Sequence, residues 1–136
     1  MKFAIVLVVA FICAVVNGQT PLNLTEQQKL RALQYSAECL EKEKSTTDAA
    51  KALIKGQFDG LDKNAKCFGN CFLEKAGFLI DGVVQPAVLS EKLGPNVGQD
   101  RLNAIMSKCN SLKGSDNCET AFVLYQCYYK EHASFF

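Results

Sequence analysis

From residue 25 onward the apolar positions recur at helical spacing. Thr25-Glu-Gln-Gln28 fits a capping box, and Leu30, Leu33, Ala37 and Leu40 then form a stripe that runs to about Lys44. Ser45 to Asp48 offers caps for a second, short helix ending at Gly56. A third helix is expected from about Asp62 to Ala76, with Gly77 as its stop. Pro86 opens a fourth, and Gly94-Pro95 is expected to end it. Leu102, Ile105, Met106, Cys109 and Leu112 stripe a fifth that ends near Gly114. Ser115 or Asp116 caps a sixth that runs to about Lys130. In this last segment Cys118, Ala121, Phe122, Tyr125 and Tyr129 make one face, and Val123, Leu124, Cys127 and Tyr128 cover much of the remainder. A helix apolar nearly all round belongs at the centre of a fold. Strand signal is slight: Phe78 to Val84 is short and is broken by Asp81-Gly82. There is no internal repeat and no low-complexity segment. The pattern predicts an all-α array of about six helices joined by short loops.

The first residues follow another logic. MKFAIVLVVAFICAVVNGQ has one Lys, an apolar run from Phe3 to Val16, then Asn17 and Gly18. This is the layout of a secretory signal peptide, and the run falls short of the ~20 residues a membrane helix needs. Cleavage is expected after Gly18, which leaves residues 19–136 as one helical domain in the extracellular space. Without Lys2, 14 Lys+Arg balance 14 Asp+Glu. A charge near zero with no basic block points away from nucleic acid and from anionic membrane as partners. Asn23-Leu-Thr25 also fits an N-glycosylation acceptor.

The same cleavage removes Cys13 and leaves Cys39, Cys67, Cys71, Cys109, Cys118 and Cys127. An even set in a small secreted chain reads as three disulfides. Cys67 and Cys71 share one helix face, and helical geometry strains a bond between them. Cys118 and Cys127 point to opposite sides of their helix. Both pairs therefore bond elsewhere, and several pairings stay open. A zinc site is disfavoured, because His132 is the one histidine in the chain and secreted thiols oxidise. The spacing also lacks the two-residue gap of a redox motif. No metal and no cofactor is expected.

The gaps between successive cysteines are 27, 3, 37, 8 and 8 residues. With the runs KCFGNCFLEKAGFL and CETAFVLYQCYYK, this spacing resembles the insect odorant-binding protein family, of the pheromone and general odorant-binding type. The resemblance spans the mature chain. It implies the pairing Cys39–Cys71, Cys67–Cys118 and Cys109–Cys127. It also implies helices packed around an internal apolar cavity. The implied function is a secreted carrier that takes small hydrophobic ligands (odorants, pheromones or fatty-acid-like molecules) through aqueous fluid. An olfactory receptor and a second copy of the chain are its further candidate partners.

From the inward stripes the expected lining residues are Phe68, Phe72, Val88, Leu89, Leu102, Ile105, Met106, Phe122 and Val123. The last two align with lining positions in the family. Tyr35 or Tyr125 is expected to offer a hydroxyl to a polar ligand head. The ending KEHASFF suggests a tail that folds over the pocket, with Phe136 as a ligand contact and His132 as a pH-sensitive hinge.

Enzymatic function is not expected. His132 lies beyond the last cysteine, so no general base is placed for a phospholipase or a serine or cysteine hydrolase. A saposin-like membrane-active protein is the second alternative, although the cysteine spacing differs. A carrier of non-odour ligands in reproductive or gut fluid is the third.

Overall fold

A computed structural model describes residues 25–133. Residues 1–18, expected to be a leader and including Cys13, lie outside the described residues, as do Asn23 and Phe136. Among the described residues there are six helices and one small hairpin: α1 (Glu26–Glu43), α2 (Thr47–Ile54), α3 (Lys63–Lys75), β1 (Leu79–Ile80), β2 (Val83–Val84), α4 (Pro86–Val97), α5 (Gln99–Cys109) and α6 (Asn117–Lys130). The all-α reading holds.

Side-chain caps set four of the six starts. Thr25 and Gln28 close a reciprocal capping box on α1. Thr46, Asp62 and Asp116 each accept a backbone N–H in the first turn of α2, α3 and α6. Gly77, at φ 86°, turns the chain out of α3, and Phe78 N–H bonds back to the Leu73 carbonyl at 2.9 Å.

Four details differ from the sequence reading. The α1 stripe is rotated: Leu30 is 66% exposed and Ala37 is exposed, while Ser36 and Cys39 are buried and Ala32, Tyr35 and Leu40 pack on the core. The bond from Cys39 to Cys71 sets that rotation, because it turns the Cys39 face towards α3. α4 continues through Pro95 to Val97. The unpaired carbonyl that a proline leaves one turn back belongs to exposed Glu91, and Gly98 N–H closes the end onto Gly94. α5 stops at Cys109 rather than near Gly114, and Leu112 is 38% exposed. Finally, Asp81-Gly82 does not break a strand but folds one. Both residues have positive φ, 49° and 76°, as a tight two-residue hairpin turn requires, and Leu79 and Ile80 pair antiparallel with Val84 and Val83.

α3 and α6 form the most extensive helix contact, and α3 also packs against α1, α2 and β1. α5 joins α6, and α4 joins α5. The disulfides follow the same order: Cys39–Cys71 ties α1 to α3, Cys67–Cys118 ties α3 to the start of α6, and Cys109–Cys127 ties α5 to α6. The hairpin, α2 and α4 carry no disulfide cysteine. Noncovalent contacts hold them. The Tyr125 and Tyr129 hydroxyls donate to the Ile54 and Lys55 carbonyls at the end of α2, at 3.1 and 2.8 Å.

Candidate functional site: an apolar cavity under the hairpin

Where the chain leaves α3, the hairpin and the start of α4 fold back over the α3–α6 contact. Gln85 N–H reaches the Phe78 carbonyl at 2.9 Å, and the Lys92 ammonium bonds the Ala76 carbonyl at 2.6 Å. Between these layers lies a cavity. Leu73 supplies its α3 side, Phe78, Leu79 and Val84 its hairpin side, Leu89 its α4 side, and Leu124 and Tyr128 its α6 side. Leu124 and Tyr128 are one helical turn apart and so present adjacent surfaces. Gly77 lets the chain reverse at this point, and a Cβ there would meet Val88 Cγ1 at 3.7 Å.

The wall is carbon throughout: no polar atom faces the cavity. Tyr128 contributes ring surface, since its hydroxyl donates to the Asn110 side-chain oxygen. Burial pushes the Tyr128 pKa up to about 12, with the Asn110 hydrogen bond pulling it down. The phenol therefore stays neutral at physiological pH. The space open to the centre of a water molecule is about 10 Å³. That is at the lower limit for holding one water, and an apolar cavity of this kind stays dry. Ligand pockets span ~300 Å³ or more, so this cavity is far smaller than a ligand pocket. α3 and α6 are held together by Cys67–Cys118. The hairpin and α4 form a wall that no disulfide anchors.

Leu89 is the expected lining residue that sits on this cavity. Phe68 and Phe72 are buried in the core with rings 6.5 Å apart, and Phe72 meets Tyr35 edge-on at 6.1 Å. Leu102 and Ile105 are buried in the core; Val88 and Met106 are half-buried against it. Phe122 turns to another side of α6, towards the loop before α3. There it packs edge-on to Phe58 at 5.8 Å under the Lys66 ammonium, 4.7 Å from its ring centre. Val123 is half-buried on a third side of α6. None of these eight lines the cavity. Tyr125 donates its hydroxyl to the Ile54 carbonyl, and Tyr35 packs on Phe72. His132 is exposed at φ 60°, just past α6. Phe136 lies outside the described residues, so the tail contact does too.

The sequence reading did not name Leu73, Phe78, Leu79, Val84, Leu124 and Tyr128 as lining residues. Leu124 and Tyr128 were legible as an i, i+4 apolar pair continuing from Ala121, a stripe distinct from the Phe122 side. The hairpin residues carried less signal, because two-residue strands have no periodicity.

Ionic contacts reinforce the stapled half. Lys63 bonds Asp116 and Glu119, and Lys66 bonds Glu119, across the start of α3 and α6. The Lys63 hydrogen bond holds the Asp116 carboxyl below the usual carboxylate range. Among the described residues no cluster of His, Cys, Asp or Glu is placed to hold a metal ion, and no helix is long and apolar enough to cross a membrane.

The PBP/GOBP family model matches residues 22–131, well over half of the chain. The chain belongs to the PBP/GOBP family. It is similar to general odorant-binding protein 56a of Drosophila melanogaster, with 38% identity over 126 residues, covering 93% of this chain and 89% of the relative. It is 31% identical over 101 residues to odorant-binding protein 10 of Aedes aegypti, covering 73% of this chain and 71% of the relative. Among solved structures, the fatty acid binding protein OBP56a from the oral disk of the blowfly Phormia regina matches with a TM-score of 0.73 and 41% identity. That match covers 81% of this chain and 96% of the blowfly chain. The curated relatives are odorant-binding proteins, not enzymes. The cavity of this odorant-binding family member lies between its stapled helices and its unstapled hairpin and α4.

Proposed function

We propose that the protein is an extracellular carrier of small hydrophobic ligands with a hydrocarbon chain, released after removal of residues 1–18. The observation that carries this reading is the cavity wall, which offers carbon on every side and no hydrogen-bonding group. Such a site selects for alkyl surface and cannot orient a polar group inside it. The family, and the fatty acid binding named for the blowfly structure, support the same ligand class.

Burying ~400 Å² of ligand hydrocarbon is worth ~10 kcal/mol at ~25 cal/mol per Å². Association costs several kcal/mol of this, and moving the hairpin and α4 costs more, which leaves micromolar affinity. The test is displacement of an apolar fluorescent probe by long-chain acids, alcohols and esters. Competition at about micromolar concentration is expected. Failure of every such compound to compete at tens of micromolar would overturn the proposal.

A further inference from the structure

A wholly apolar cavity leaves the polar end of an amphiphilic ligand to be met at its rim. Lys92 stands there. Its ammonium lies 5.4 Å from the ring centre of Phe78, and Phe78 is a wall of the cavity. Its hydrogen-bond partner is the Ala76 carbonyl, a neutral group. Lys29, Lys63, Lys66, Lys75 and Lys108 each pair with a carboxylate. Among the described residues no carboxylate lies within ion-pair distance of Lys92.

We infer that Lys92 is the headgroup site for the carboxylate of a long-chain acid whose tail lies in the cavity. The inference rests on the carrier reading above and names the ligand's polar end. An ammonium has three N–H donors. One is spent on Ala76, which leaves donors for a carboxylate without losing that bond. The cationic end of Lys92 and the cavity are separated by one phenyl ring. The Lys92 stem starts on α4, an element without a disulfide, so a carboxylate bound there also ties the ligand to that wall. The bond to Ala76 has an ordinary role as well, since a cation at the end of α3 offsets the partial negative charge of its last carbonyls. That role predicts a change in stability and no discrimination between ligand headgroups.

The experiment compares a fatty acid with the alcohol of equal chain length in the probe-displacement assay. It uses wild type, Lys92→Gln, Lys92→Arg and the surface-charge control Lys42→Gln. Lys42 is exposed in the last turn of α1. Loss of a charge-assisted hydrogen bond predicts about a tenfold fall in acid affinity for Lys92→Gln. Alcohol affinity stays within about twofold, Lys92→Arg keeps acid binding, and Lys42→Gln changes neither. Equal losses for acid and alcohol, or no loss for either, would overturn the headgroup assignment while leaving the carrier standing. If neither compound competes in wild type, the carrier reading fails and this inference with it.

Discussion

Replacing Cys67 and Cys118 together with alanine is expected to destabilise the protein by about 4 kcal/mol, the largest loss among the three disulfides. The bond closes a separation of 51 residues, against 32 for Cys39–Cys71 and 18 for Cys109–Cys127. Chain entropy alone makes the longest loop worth about 4 kcal/mol and the shortest about 3 kcal/mol. Position works in the same direction, because Cys67–Cys118 clamps the central α3–α6 contact on which the cavity rests. Against a total of ~5–15 kcal/mol for a small domain, the loss removes much of the folding margin. Denaturant unfolding of the three paired variants measures the order. A smaller loss for the Cys67–Cys118 pair than for Cys109–Cys127 would contradict it.

Leu124→Ala has the second large effect. Leu124 is 2% exposed and faces the cavity from α6. Truncating a buried leucine costs ~2–5 kcal/mol, more when the space left behind does not collapse. Cys67–Cys118 and Cys109–Cys127, both anchored on α6, hinder such collapse. The enlarged cavity should therefore persist. The variant then has a lower Tm than wild type but gains more from a saturating long-chain alcohol, since less wall has to move to admit it. Thermal melts with and without the alcohol measure both quantities. A ligand-induced rise in Tm equal to or smaller than that of wild type would show that Leu124 does not face the ligand.

Much of the fold was legible because its signals are local. Thr25 with Gln28, Asp62 and Asp116 are caps that act within one turn, and Gly77 stops α3 by its own backbone freedom. What the sequence left unread depends on how elements are turned against one another. The α1 stripe through Leu30 and Ala37 is a valid amphipathic pattern, but the link from Cys39 to α3 selects a different face. α6 shows the same limit more sharply. It is apolar nearly all round, so periodicity cannot say which side meets a cavity and which meets core. Phe122 went to the Phe58 side, while Leu124 and Tyr128 took the cavity. The hairpin was missed because Asp81-Gly82 interrupts a run too short to alternate, although that same dipeptide is what turns the strands.

The central claim is that an alkyl chain occupies the space between the hairpin and the α3–α6 contact. Isotope-filtered NOEs from an unlabelled fatty acid to a methyl-labelled protein test it most directly. Cross-peaks from mid-chain methylenes to the methyls of Leu73, Leu89 and Leu124 are the predicted result. Cross-peaks to other methyls, with none to these three, would contradict it.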